Sequence, residues 1–271
     1  MSITVPELIR RTRDGQRLVI VTAYDYGGAR LVAAAGVDTI MVGDSLGMVV
    51  QGRANTLGVT LDQMVYHCEM VSRGAPNALV IGDLPFMSYQ EGPVQAVQSA
   101  GRLVKEGGCG CVKLEGGTRM AEQIASIVRA DIPVMAHIGL TPQSIHQLGG
   151  YRVQRDADRL LADALAVQEA GAWSVVLECV TREVTAQITE RVTIPTIGIG
   201  AGPDCSGQVL VFHDILGLSG GKPLRFVKRY ADLDVAVTTA LRAFKEDVEA
   251  GLFPTAEYCF TGRAAGSQED A

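Results

Sequence analysis

Eight short apolar segments alternate with longer helical segments along nearly the whole chain. Each apolar segment has the length and the Val, Ile and Leu content of a strand buried in a parallel sheet. Eight such strands separated by helices predict a closed (β/α)8 barrel (a TIM barrel), and the 271 residues suit that fold. A doubly wound open sheet is the alternative, but no G-x-G-x-x-G follows the first strand. The segments are RLVIVTAYD, TIMVGD, ALVIGDLP, GCVKLEG, PVMAHIG, SVVLECV, PTIGIGAG and QVLVFHD, the last of which could be partly helical.

The domain organisation follows from the same alternation, which runs without a linker or a low-complexity tract as far as residue 261. We therefore predict one barrel domain over residues 1–261. The remaining segment, GRAAGSQEDA at residues 262–271, is small and polar, and we expect it to be a disordered tail.

Capping residues mark several helix ends. Thr60 stands where an N-cap belongs, directly before the helical segment LDQMVYHCEMVSRG. Gly74, Gly107 and Gly171 stand where C-caps belong at the ends of three helical segments. These residues predict where the helices around the barrel begin and end.

Charge and cysteine content argue against several classes of protein. The net charge is −6, whereas a general nucleic-acid binder needs a clustered basic surface. We interpret the densest basic stretch, KPLRFVKR at residues 222–229, as a solvated surface segment. The six cysteines include no C-x-x-C pair, so we expect neither a zinc site nor a disulfide framework.

The N-terminal sequence and the apolar segments predict a cytoplasmic protein that does not bind membranes. The opening residues, MSITVPELIRRTRDGQR, lack the apolar core of a signal peptide. No uninterrupted apolar stretch approaches the roughly 18 to 20 residues that are needed to cross a bilayer.

Polar and charged side chains stand at the ends of six predicted strands. In a barrel of this kind the carboxyl ends of the strands form the face that carries the active site. One such residue alone would more often be a cap or turn residue, but the whole set is expected to converge on one site. The residues are Asp25, Asp44 with Ser45, Asp83, Lys113 with Glu115, His137 and Glu178.

Asp44 and Asp83 are the expected metal ligands. Each follows a glycine at the end of a strand, and glycine lets the chain turn and lets another group approach closely. Several carboxylates in one site repel one another, and a hard divalent cation relieves that repulsion. Mg²⁺ prefers oxygen ligands and is usually held by one or two carboxylates together with substrate oxygens.

Lys113 and Glu115 are two residues apart on one strand, so their side chains share a face. If Lys113 points into the barrel, it is a fixed cation for an anionic substrate, and Glu115 reaches the same site. The alternative is an ion pair in the barrel core, because buried charges are usually paired.

Glu178 follows the apolar run SVVL, and such surroundings raise the pKa of a carboxyl group. A raised pKa suits a general base or acid. The alternative is a buried carboxylate paired with an arginine or lysine.

The sequence leaves the roles of three further residues more open. His137 could be a catalytic group, or a core histidine bonded to the backbone. Ser45 has no nearby general base, so we interpret it as a substrate contact. Asp25 could hold a water molecule or a neighbouring side chain near the metal.

A magnesium ion, a general base and a lysine together suggest carbanion chemistry. A 2-oxo acid can chelate Mg²⁺ through its keto and carboxylate oxygens, and the metal stabilises the enolate formed when a base removes the adjacent proton. Composition and spacing do not name the electrophile.

Several motifs together resemble the ketopantoate hydroxymethyltransferase family of pantothenate biosynthesis. The likeness covers residues 5–260, and its blocks are long and in order. It leaves out the C-terminal tail. The motifs are TAYDY, VGDSLGM, DLPF, VKLEGG, HIGLTPQS, GGYRVQ, LECV and IPTIGIGAG.

The resemblance implies a barrel like those of phosphoenolpyruvate mutase and isocitrate lyase. It implies transfer of a one-carbon unit from 5,10-methylenetetrahydrofolate to 3-methyl-2-oxobutanoate, which gives 2-dehydropantoate. It also implies a cytoplasmic homo-oligomer, commonly a decamer.

The resemblance also implies roles for individual residues. Asp44, Asp83 and Glu115 match magnesium ligands, and Lys113 matches a substrate-binding lysine. Ser45 matches a contact to the substrate carboxylate, and Glu178 matches the catalytic base.

Two other functions stay open. The first is a magnesium-dependent C–C or P–C lyase or mutase acting on a 2-oxo acid in the same kind of barrel. Enzymes of those families usually carry a reactive cysteine on a mobile loop, and no cysteine here has such a setting. The second is a non-catalytic small-molecule binder or an assembly protein, which has no reason to place several carboxylates at successive strand ends.

Overall fold

The computed structural model describes residues 3–261, whose eight parallel strands form a closed barrel. Each strand pairs with the next along the chain, and β1 pairs with β8 through Leu18 and Gly207 to close the ring. The fold predicted from the sequence is thus confirmed. The strands are β1 Leu18–Thr22, β2 Thr39–Val42, β3 Leu79–Asp83, β4 Cys111–Glu115, β5 Val134–Gly139, β6 Ser174–Glu178, β7 Thr196–Ile199 and β8 Gly207–Leu210.

Helices connect the strands and surround the barrel. Short 3₁₀ turns lie at Thr118–Met120, Pro142–Ser144 and Ala256–Tyr258. No helix of the described residues is long and apolar enough to cross a membrane. The helices are α1 Val5–Arg13, α2 Tyr26–Ala34, α3 Leu46–Val49, α4 Leu61–Gly74, α5 Pro93–Lys105, α6 Ala121–Arg129, α7 Ile145–Leu148, α8 Ala157–Glu169, α9 Arg182–Arg191, α10 Phe212–Ile215 and α11 Leu233–Glu249.

The core has two layers because the strands are buried on both faces. One layer fills the barrel and includes Ile20, Met41 and Ile81. Helix α1 adds Leu8 to this layer beside Leu18, and so packs at the amino-terminal end of the strands. The larger layer lies between the strands and the surrounding helices. The opposite, carboxyl-terminal end of the strands carries the polar residues.

Some of the helix caps predicted from the sequence are confirmed, and one is wrong. Thr60 caps α4: its side chain accepts a hydrogen bond from the backbone of Gln63, whose side chain bonds back to Thr60. Gly171 follows α8 with a φ of 94°, as a C-cap glycine should. The interpretation of Gly74 as a C-cap is wrong, because it is the last residue of α4. A Cβ on it would lie 2.6 Å from the Tyr26 carbonyl oxygen, so it is needed for packing against α2.

The last strand and the helices that follow it can also be compared with the predictions. The segment QVLVFHD is a strand followed at once by a short helix, α10, which agrees with its mixed character. Helix α11 buries none of its residues within the single chain. The tail predicted at residues 262–271 lies outside the described residues. One domain over residues 1–261 stays a prediction.

Candidate active site

A cavity of about 840 Å³ opens at the carboxyl-terminal end of the barrel. Seven of the eight residues chosen from the strand ends line it. The exception is Asp25, which is exposed and caps α2 by accepting a hydrogen bond from the Gly28 N–H at 2.6 Å. The seven are Asp44, Ser45, Asp83, Lys113, Glu115, His137 and Glu178.

Asp44 and Asp83 lie side by side at the ends of β2 and β3. The Asp44 backbone N–H donates a hydrogen bond to Asp83 Oδ2 at 3.2 Å, and Asp83 Oδ1 is buried without a hydrogen-bond partner. Gly43 permits this approach, since a Cβ there would lie 2.8 Å from Ser45 Oγ. Burial raises the pKa of Asp83 well above its usual value; the Lys113 ammonium opposes this and the neighbouring carboxylates add to it.

Lys113 and Glu115 both point into the cavity, as the alternation along β4 predicts. The Lys113 ammonium lies 2.9 Å from Asp83 Oδ2 and 3.4 Å from Glu115 Oε1, with all three side chains buried. Burial alone would lower the pKa of Lys113, but the carboxylates around it raise that pKa. Burial raises the pKa of Glu115 to about 8, although Lys113 acts in the opposite direction. Lys113 is therefore charged at neutral pH and holds two carboxyl groups together.

Glu178 ends β6 with only 15% of its side chain exposed. Burial raises its pKa to about 8 against the opposing charge of Lys113, which confirms the raised pKa expected from its apolar surroundings. His137 Nε2 lies 3.1 Å from Glu178 Oε2, although neither ring nitrogen makes a well-aligned hydrogen bond. Burial and the charge of Lys113 hold the pKa of His137 well below its usual value, so its ring is neutral.

Ser45 lies between Asp44 and the first turn of α3. Its hydroxyl is 2.8 Å from the hydroxyl of Tyr24; Tyr24 is buried, whereas Ser45 is half-buried and lines the cavity. A hydroxyl pair of this kind can reorient its protons to suit an anionic or a neutral ligand.

Sequence reasoning missed Gln143, which connects the carboxylates. Its backbone N–H donates to Glu115 Oε2 at 2.9 Å, and its side-chain amide donates to Asp44 Oδ2 at 2.9 Å. Its amide oxygen accepts a 2.6 Å hydrogen bond from the Tyr89 hydroxyl. Gln143 lies in the 3₁₀ turn beyond β5, so a search restricted to strand ends does not find it.

The described residues include no group of three His, Cys, Asp or Glu side chains drawn together tightly enough to hold a metal ion. The carboxyl groups in the cavity bind other side chains instead. Lys113 donates to Asp83 and Glu115, and the Gln143 side-chain amide donates to Asp44. Asp44 and Asp83 are the adjacent carboxylates, and the buried oxygen of Asp83 is the one left without a partner.

Comparison with solved structures shows which barrels this fold is similar to. It is similar to 2,3-dimethylmalate lyase, a PEP mutase/isocitrate lyase superfamily member, with a TM-score of 0.62 at 20% identity over 96% of this chain and 93% of that one. It is also similar to phosphonopyruvate hydrolase in complex with oxalate and Mg²⁺, with a TM-score of 0.61 at 12% identity over 94% and 93% of the two chains. These likenesses show the fold.

Sequence comparison shows the family. A relative in Trichlorobacter lovleyi named 3-methyl-2-oxobutanoate hydroxymethyltransferase is 53% identical over 96% of this chain and 98% of its own length. A relative of the same name in Pelobacter propionicus is 52% identical over 95% of this chain and 97% of its own length. The family model described as ketopantoate hydroxymethyltransferase matches residues 2–256. The chain therefore belongs to the ketopantoate hydroxymethyltransferase family.

Proposed function

We propose that this enzyme transfers a hydroxymethyl group from 5,10-methylenetetrahydrofolate to 3-methyl-2-oxobutanoate, the first step of pantothenate biosynthesis. With one water molecule consumed, the products are 2-dehydropantoate and tetrahydrofolate. The observation that carries the proposal is Glu178, a buried carboxyl group with a raised pKa in the same cavity as Asp44 and Asp83. The names of relatives at about 50% identity support the same reaction.

Asp44 and Asp83, with Glu115 as the third carboxylate, would hold a magnesium ion once the cation displaces contacts that Lys113 and Gln143 now make with these groups. The residues fit such a cation, because four buried or nearly buried carboxyl groups face one ammonium and one buried Asp83 oxygen has no donor. The bound metal would supply positive charge beside the keto oxygen, which makes the neighbouring C–H bond more acidic. Phosphonopyruvate hydrolase, a structural neighbour, has been solved with Mg²⁺ and oxalate, a small dicarboxylate.

The keto acid would be oriented by groups at the base of the cavity. Lys113 supplies a fixed positive charge for the substrate carboxylate, and the Ser45 hydroxyl supplies a hydrogen bond to it. Asp44 and Asp83 would contribute to the substrate site by holding the metal. Apolar residues such as Val176 and Ile199 also line the cavity and suit the branched alkyl end of the substrate.

Glu178 would remove the proton from C3 of the keto acid. Its low exposure keeps water away, and its raised pKa makes it a stronger base than an exposed glutamate. The neutral ring of His137, 3.1 Å from the Glu178 carboxyl, would limit the positions that this carboxyl can adopt. Water adds to the methylene carbon of the folate, opened to an iminium, and cleavage of the C–N bond leaves tetrahydrofolate and formaldehyde. The electron pair left at C3 then forms the C–C bond to the formaldehyde carbon, and the formaldehyde oxygen takes up a proton to give the hydroxymethyl group.

The lyase or mutase alternative is not favoured, because the curated relatives carry the transferase name. Cys179 is the cysteine that lines the cavity, and burial raises its pKa to about 11, so its thiol stays protonated at neutral pH. A non-catalytic binder would not need a base of raised pKa at the same place.

We also propose that the protein is a cytoplasmic homo-oligomer, with a decamer as the expected size. Support comes from α11, which leaves Val235, Leu241 and Phe244 about half exposed or more. An apolar helix face of this extent is typical of a subunit interface, and a second copy of the chain is the occupant we propose. Light scattering would give the number of subunits.

The test of the proposed reaction is product formation from purified protein, 3-methyl-2-oxobutanoate, 5,10-methylenetetrahydrofolate and MgCl₂. Mass spectrometry should detect 2-dehydropantoate, and EDTA should abolish it. Cleavage of 2,3-dimethylmalate or phosphonopyruvate, without any transfer product, would favour the lyase or mutase instead.

A further inference from the structure

The cavity has an uneven distribution of charge. Its base holds the carboxylates described above, whereas its outer part is lined by five cationic side chains, which we call the cationic rim. Four of them are exposed and the last is half-buried. The site thus changes from acidic to basic along its depth. The cationic rim consists of Arg53, Arg152, Lys222, Arg225 and Arg229.

No member of the cationic rim forms a salt bridge within residues 3–261. Arg53 and Arg229 donate to backbone carbonyls, of Gly58 and of the loop at 220–221 respectively. The side chains of Arg152, Lys222 and Arg225 have no hydrogen-bond partner in the described part of the chain. In a protein with a net charge of −6, such a group of unpaired cations beside a cavity is suited to an anion.

The segment 222–229 is held in place at the cavity and is not a detached loop. Val227 is buried, and the ring of Phe226 packs against Gly200 at the end of β7. Gly200 has a φ of 66°, and a Cβ there would lie 2.9 Å from the Phe226 ring, so the contact requires glycine. The interpretation of this segment as a solvated surface stretch is therefore incomplete.

The cavity also has apolar and aromatic lining. Leu140, Tyr151, Leu218 and Phe226 contribute to it. A ligand that matches the whole cavity therefore has an apolar or aromatic middle and several anionic groups at its outer end. The volume of about 840 Å³ exceeds what a five-carbon keto acid needs and is typical of pockets for drug-sized ligands.

We propose that the cationic rim binds the glutamyl carboxylates of the folate co-substrate and that it favours folates with several glutamyl residues. The inference rests on the proposed function for the identity of the ligand. Folates carry an aromatic middle and a glutamyl tail, and each added glutamyl residue adds one carboxylate. Because four of the five cationic side chains are exposed, each ion pair contributes modestly, and the preference accumulates over the tail.

The test measures equilibrium binding of tetrahydrofolate with one and with three glutamyl residues by fluorescence titration. The wild-type protein should bind the triglutamate about tenfold more tightly, which is what a few half-exposed ion pairs amount to. The Lys222→Ala/Arg225→Ala variant should lose most of this difference, since neither side chain has another partner in the described part of the chain. Raising the salt concentration should reduce the wild-type preference.

The control variant is Lys105→Ala/Arg191→Ala, which removes the same charge from exposed helix ends outside the cavity. It should keep the wild-type preference for the triglutamate. Circular dichroism and thermal unfolding should be unchanged in both variants, because all four side chains are exposed.

Three results would overturn the inference: equal affinity of the wild type for both folates, no folate binding, or a full preference retained by Lys222→Ala/Arg225→Ala. The proposed function is judged separately, by product formation. If the enzyme makes 2-dehydropantoate but binds both folates equally well, only the role proposed for the cationic rim is wrong. If it prefers the triglutamate but makes no product, the binding site stands and the transfer reaction fails.

Discussion

The Glu178→Gln substitution removes the proposed base while it keeps the size of the side chain. General-base catalysis typically contributes about 10²- to 10⁴-fold, so exchange of the C3 proton of 3-methyl-2-oxobutanoate should fall by that factor. This corresponds to roughly 3 to 5 kcal/mol of lost transition-state stabilisation. Proton NMR in D₂O, with MgCl₂ present, measures the exchange directly.

The same substitution should stabilise the fold at neutral pH. The Glu178 carboxyl has a pKa of about 8 when folded, against an ordinary value of 4.5. Between these values the folded protein holds a proton that the unfolded chain has released, so stability falls as pH rises. At pH 7 the cost of this carboxyl is about 3 kcal/mol, which the neutral amide of the variant would not incur. The gain should vanish below about pH 4.5, where both states are protonated.

Urea denaturation in the presence of EDTA at pH 5 and pH 7 measures the stability difference. Glu190→Gln, at an exposed position of α9, is the matched control and should change neither stability nor exchange. C3 exchange by Glu178→Gln within tenfold of the wild type would rule out Glu178 as the base. Lower stability of the variant than of the wild type at pH 7 would rule out the raised pKa of this carboxyl group.

The other predictions concern the side chains around the base. Lys113→Met leaves the buried carboxyl groups of Asp83 and Glu115 without their cation. In urea denaturation at pH 8 with EDTA, it should destabilise the protein by about 3 kcal/mol. An unchanged midpoint would mean that these ion pairs do not stabilise the fold. Tyr89→Phe removes the hydroxyl that donates to Gln143, and it should lower the free energy of unfolding by about 1 to 3 kcal/mol in urea denaturation. It should also raise the KM for the keto acid. An unchanged KM would show that Gln143 keeps its position without this hydrogen bond. Thr60→Ala breaks the capping box and should cost about 0.5 to 2 kcal/mol with C3 exchange unchanged; slower exchange would mean that α4 influences the site.

The barrel was predictable because its signals are local. Each strand is a short apolar segment, and the polar residue at its end is adjacent in sequence. Alternation along β4 placed Lys113 and Glu115 on one face, and the apolar run before Glu178 indicated its raised pKa. These inferences need no knowledge of what packs against what.

The features that sequence reasoning missed depend on distant parts of the chain. Glycine is required at position 74 because the Tyr26 carbonyl of another helix lies too close for a side chain. No residue near Gly74 in the sequence indicates this contact. Gln143 reaches Asp44 across 99 positions of sequence. Asp25 shows the opposite case: it stands near a strand end, but the local chemistry of a helix cap uses its carboxylate instead.

The most direct test of the central claim is proton NMR of 3-methyl-2-oxobutanoate with the wild-type protein in D₂O. Samples with and without Mg²⁺, and with and without 5,10-methylenetetrahydrofolate, separate removal of the C3 proton from transfer. We expect the C3 proton signal to disappear in samples with Mg²⁺, whether or not folate is present, and a hydroxymethyl signal to appear only with both. A hydroxymethyl product formed equally well in EDTA, or no exchange and no product from folded protein, would contradict it.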